Sequence, residues 1–212
     1  MNILSYDGLL MTSLRKLVNY VLLGILWIIA SLPLITYGAA TTAMFFTAEK
    51  AIHQDNEKLF STFLKCFSRE FKQATILWLI ALVLLMILTV NVLILMWIEL
   101  PSFVTVILVI PLLLGFGWLQ LWFGYLSRFE DTTRVLLINT IRMTLMNFPH
   151  ILLLVVLAIT AIGGALASSM VFLPFLFLIP GLYVMLARFV TQKLFSKYKP
   201  EAKGITGIVA DC

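Results

Sequence analysis

The chain has 212 residues, 62% hydrophobic and 12% charged, with a mean hydropathy of +1.06 and a formal net charge of +5. An ordinary soluble domain has about 45–50% apolar and about 25% charged residues. This composition excludes a soluble enzyme, a nucleic-acid-binding domain and a disordered tail, and it predicts an all-α, polytopic membrane helical bundle.

Charges punctuate the chain and set the predicted crossings. Uncharged stretches run over 17–48, 73–98, 100–127 and 143–187. A helical crossing of the ~30 Å hydrocarbon core takes about 20 residues. The second and third stretches therefore hold one crossing each, and the last holds two joined by a tight turn near 167–169. The first is too long for one straight helix and too short for two, and Pro33 supplies a break. The reading is about five transmembrane helices, over 17–37, 74–98, 103–126, 149–167 and 170–190. A re-entrant first segment is the alternative. Arg15, Lys16 and the apolar run after them also imitate a secretory signal, but that run is longer than a signal core.

Between the first two crossings, loop 49–73 contains an amphipathic helix. Leu59, Phe60, Phe63, Leu64, Phe67 and Phe71 recur at steps of three and four, with Lys58, Lys65, Arg69 and Lys72 largely on the other side. Two readings stand: a helix lying on anionic headgroups, and a docking helix for a cytoplasmic partner. Loop 128–148 repeats the pattern more weakly, with Val135, Ile138, Ile141 and Leu145 on one stripe beside Arg134 and Arg142. With five crossings, an outside N-terminus puts both loops and the basic tail 191–212 in the cytoplasm, leaving only Arg15 and Lys16 outside. A re-entrant first segment would put every basic residue inside. Trp78, Trp97, Trp118 and Trp122 fall near predicted membrane boundaries, as an interfacial belt does.

Chemistry is sparse. HExxH, GxSxG and P-loop patterns are absent, so no catalytic, cofactor or metal set is predicted. His53 and His150 are isolated near boundaries, and Asp7 and Glu99 are the only acids on the predicted outside. Cys66 and Cys212 fall in charged segments read as cytoplasmic, which argues against a disulfide. No charge lies mid-span, which argues against an ion-coupled carrier. Asn91 and Gln120 are the most polar span residues and are predicted to bond between helices or, in a channel, to meet a neutral solute. Small residues over 38–43, with Gly115, Gly117, Gly163 and Gly164, suit close helix packing or a homo-oligomer.

Two stretches carry more than composition. They are LWIIASLPLITYGAATTAMFF over 26–46 and FLKCFSREFKQATILWL over 63–79. Their pattern joins Leu26 and Trp27 to Ser31, Leu32 and Pro33. It continues through Thr36, Gly38, Ala39, Thr42 and Ala43, then Phe63 with Phe67, then Phe71, Lys72, Gln73, Ala74 and Thr75. Over about residues 5–80 the chain resembles the YesL-like family of small bacterial multi-pass membrane proteins, a domain of unknown function. The resemblance implies a plasma-membrane protein encoded beside carbohydrate ABC importers and sensor kinases, and it assigns no catalytic residue. The expected function is thus a non-enzymatic accessory of carbohydrate uptake or sensing. Its expected partners are the lipid bilayer, ABC transporter subunits or a sensor kinase, and no nucleic acid. The alternative is a small oligomeric channel for a neutral solute.

Overall fold

In a computed structural model the described residues are 9–53, 58–97, 102–129, 131–171 and 173–197, and among them there is no strand. The helices are α1 (Leu9–Ser31), α2 (Tyr37–Thr47), α3 (Leu59–Trp97), α4 (Ser102–Leu126), α5 (Thr133–Met146), α6 (Phe148–Val171) and α7 (Leu173–Lys197). A 3-10 turn, Leu34–Thr36, precedes α2, and a π-helical turn, Ala48–His53, follows it.

α1 ends at Ser31, two residues before Pro33, whose ring disfavours helical backbone at the residue before it. The carbonyls freed by the break need partners in an apolar setting. Thr36 supplies one hydroxyl to two of them, donating to Ala30 O at 2.6 Å and Pro33 O at 2.7 Å. Trp78 Nε1 donates to Leu34 O at 2.7 Å.

The chain then folds back. Trp27 Nε1 donates to Thr41 Oγ1 at 3.1 Å, fourteen residues along, and the π-helical turn also packs on α1. α2 is buried from Gly38 to Thr47, and its main neighbour is α3. The two run antiparallel, since Gly38 meets Ala74 and Trp78 while Phe46 faces Arg69. The later helices alternate likewise. Trp78 on α3 lies 6.4 Å from Phe123 on α4, Gly117 on α4 meets Ile151 and Val155 on α6, and Gly164 on α6 meets Ile179 on α7. Hence α1, α3 and α6 run one way, and α2, α4 and α7 the other.

Three expectations change. First, two stretches of the described residues are long and apolar enough to cross a membrane, Met11–Ser31 and Leu59–Asn91, or three if the bent pair Thr133–Met146 with Phe148–Gly164 counts as one. That is fewer than the five read from charge spacing; the α5–α6 pair is bent by 98°. Second, the amphipathic stretch is not a separate loop helix. It is the first part of α3, whose 39 residues run unbroken for about 58 Å. Charge spacing cuts the chain at Lys72, but nothing at Lys72 breaks a helix. Third, the tryptophan belt is mostly internal. Trp97 is 89% exposed, but Trp122 is buried, Trp118 donates to Thr140 Oγ1 at 3.1 Å, and Trp78 packs on Tyr37 at 4.6 Å. Apart from Trp97, each indole has a protein neighbour.

Candidate functional site

Two polar centres stand out in the apolar bundle. The inner one lies where the α1–α2 fold-back meets α4, α6 and α7. A cavity of about 120 Å³ is lined there by Trp27, Tyr37, Thr41, Gln120 and Tyr183, with apolar walls including Phe116 and Pro180. Tyr183 donates to Gln120 Oε1 at 2.9 Å, and the Tyr37 hydroxyl neighbours both Gln120 and Thr41. The groups are neutral and face aromatic rings. The size and neutral polar lining suit water or a small neutral hydroxylated molecule.

The outer centre is Glu49, in the π-helical turn. Its Oε2 accepts from Arg188 Nε on α7 and from Arg128 Nη2 just past α4, the latter at 3.2 Å. One carboxylate thus ties three elements together. The Arg188 side chain is only 6% exposed, so the pair holds a charge the bundle has largely desolvated. Burial pushes the Arg128 guanidinium down, Glu49 pulls it back up, and Arg188 pushes it down again, but an arginine stays charged at neutral pH. Both guanidiniums also sit over rings, Arg128 over Phe195 and Arg188 over Phe189. On the other flank of the turn, Lys50 and Arg69 both lie over Phe46.

The sequence-predicted residues divide. On α3, Phe63 and Cys66 are buried in the core, Phe67 is half-buried against it, and Phe60, Lys65, Phe71 and Lys72 are exposed. Arg69 pairs with Glu70 at 2.7 Å. Gln120 is buried in the inner centre, whereas Asn91 is exposed and donates to Ile87 O of its own helix at 2.8 Å. The structure therefore does not bring Asn91 and Gln120 together. The family-pattern residues do converge. Leu26 and Trp27 pack on the core, and Pro33 and Thr36 form the break. Gly38, Ala39 and Thr42 lie on the buried α2, where Thr42 donates to Gly38 O. Sequence reasoning missed Tyr183 and the Glu49 centre. Their signal was a hydroxyl inside the last apolar run and a carboxylate at the edge of the first.

His150 Nδ1, Trp122 Nε1 and Thr75 Oγ1 are buried without a hydrogen-bond partner. Among the described residues, no three His, Cys, Asp or Glu side chains gather as metal ligands do. Asp7, Glu99 and Cys212 lie outside the described residues.

Fold and site together define a class: an all-α protein with helices long and apolar enough to cross a membrane, organised around uncharged polar contacts inside and an arginine–carboxylate cluster at one end. Residues 20–92 match the family described as "Protein of unknown function, DUF624", to which the YesL-like proteins belong. The match runs from the middle of α1 to near the end of α3, so it covers the fold-back, the buried α2 and the Phe/Lys stretch. No curated protein and no solved structure matches the chain.

Proposed function

We propose that this is a non-enzymatic protein of the bacterial plasma membrane, an accessory component of carbohydrate uptake or sensing that acts through contacts at its basic end. The carrying observation is the exposed face of α3, where Phe60, Lys65, Phe71 and Lys72 stand outside the core at the end of the bundle that holds Glu49 and its two arginines. Aromatic groups beside cations make a surface suited to a partner chain. The carbohydrate assignment rests on the family resemblance. Co-purification in mild detergent tests it: transporter or kinase subunits should accompany the wild-type chain and be lost with Lys65→Glu and Lys72→Glu. Recovery of the same complex from that variant overturns the docking role.

The topology we propose has both termini cytoplasmic, four full crossings by α3, α4, α6 and α7, and α1–α2 as a re-entrant hairpin. In its support, the tip of the hairpin meets Trp78, midway along α3, which continues for 19 residues, about 28 Å, to Trp97. The alternation of direction also brings the ends of the chain that carry Lys and Arg to one side, as the positive-inside rule favours. Reporter tags on the two termini should read the same compartment. Opposite compartments would restore five crossings with the N-terminus outside.

A second reading, a small channel for a neutral solute, has one observation in its favour, the cavity beside Gln120 and Tyr183. Vesicles carrying the protein should then pass glycerol faster than empty vesicles, and Gln120→Leu should abolish the difference.

A further inference from the structure

α5 is built differently from its neighbours. Its axis turns 98° from that of α6. The break falls at Asn147, just before Phe148 and Pro149. Asn147 leaves the helical region at φ −131°, its side-chain amide donates to Met143 O at 3.0 Å, and its carbonyl accepts from His150 N. Proline in the first turn of α6 needs no backbone partner, so α6 restarts there in a new direction.

One face of α5 is committed to the bundle. Leu136, Thr140 and Met143 are buried, and Trp118 holds Thr140 by a hydrogen bond. The opposite face exposes Val135, Ile138, Ile141, Leu145 and Met146, with Leu145 77% exposed. Arg134 and Arg142 are exposed on that same side, and neither makes an ion pair among the described residues. Water is a poor solvent for such a continuous apolar strip. A helix perpendicular to a crossing helix lies along the bilayer surface. There the apolar strip reaches the acyl boundary, and arginine stems extend along it to place guanidiniums at phosphate depth.

We propose that α5 is an in-plane lipid-binding helix that seats anionic phospholipid headgroups on Arg134 and Arg142. The angle and the charge complementarity select a lipid surface over a protein. The proposal rests on α6 crossing the bilayer, part of the topology above, and the test separates the two. The full chain, with Cys66→Ala and Cys212→Ala, would be spin-labelled at Ile138→Cys, Leu145→Cys or, on α6, Val156→Cys. It would be placed in phosphatidylcholine vesicles with and without phosphatidylglycerol. The labels at 138 and 145 should collide more with oxygen than with a water-soluble nickel chelate. Arg134→Gln and Arg142→Gln should each lower the preference for phosphatidylglycerol among co-purified lipids by about fivefold. Nickel access at 138 and 145 with lipid-like behaviour at 156 overturns the α5 assignment and leaves the crossing intact. Shielding of 138 and 145 from both reagents overturns it in favour of a protein–protein contact. Nickel access at 156 overturns the topology and, with it, the proposal.

Discussion

Three glycines decide how closely the helices approach. A Cβ on Gly38 would lie 2.6 Å from Ala74 O and 2.7 Å from Trp78 Cβ, and one on Gly181 would overlap Tyr20 O. Backbone oxygen cannot move aside cheaply, so the helices must separate. Gly117 is crowded instead by methyl groups of Val155 and Ile151, which have more freedom. Gly115 and Gly163 have nothing within 4 Å. Alanine in a helix is favoured over glycine by about 1 kcal/mol, while overpacking costs about 1–3 kcal/mol. Gly38→Ala and Gly181→Ala should therefore lower the thermal midpoint in detergent, and Gly115→Ala should hold or raise it. An equal response at all three positions would show that the α2–α3 and α1–α7 contacts are looser than described. Trp78→Phe keeps an aromatic contact with Tyr37 but leaves Leu34 O without its donor, and should cost about 1–2 kcal/mol in the same assay.

At the scale of the element, what the sequence conveyed was periodicity and breaks. The apolar runs required helices, and Pro33 required an interruption, which is where α1 ends. Pro33→Ala should let α1 extend toward Tyr37 and expose Thr41, measurable as faster thiol labelling at Thr41→Cys. Unchanged labelling would mean that Thr36 and Trp78 hold the turn without the proline. The fold-back itself was not legible, because periodicity gives the face of a helix and not the direction of the next one. The unity of α3 was hidden for a different reason. A change from amphipathic to wholly apolar composition at Lys72 marks a change of surroundings, and the backbone carries on through it. Part of the inner centre could be read in advance, since Gln120 is a bare amide in an apolar run. Its partner Tyr183 lies 63 residues away, and no local pattern joins them.

For the molecule as a whole, Glu49 is the point where late and early parts of the chain are tied. Arg188 is 139 residues from it, beyond the reach of any sequence pattern. Glu49→Gln leaves two arginines facing each other with their shared carboxylate gone. The Glu49 side chain is 27% exposed, so solvent screens part of the repulsion, and a loss of about 1–3 kcal/mol is expected. Arg188→Gln in the same background should recover part of it, giving a non-additive cycle. Additive losses would mean the residues act independently.

The burial of α2 also constrains the order in which the protein is made. Eleven residues are too few to cross a bilayer, and from Gly38 onward every one is covered, mostly by α3, with α1, α4 and α7 adding to it. All of that cover except α1 is translated after α2. Until the ribosome has delivered α3, the hairpin has nowhere to dock, and the Trp27–Thr41 bond that pins it has no enclosing wall. The hairpin thus reaches its final place only after α3 has followed it. A nascent chain stalled before Leu59 should leave Thr41→Cys open to thiol reagents that the finished protein excludes.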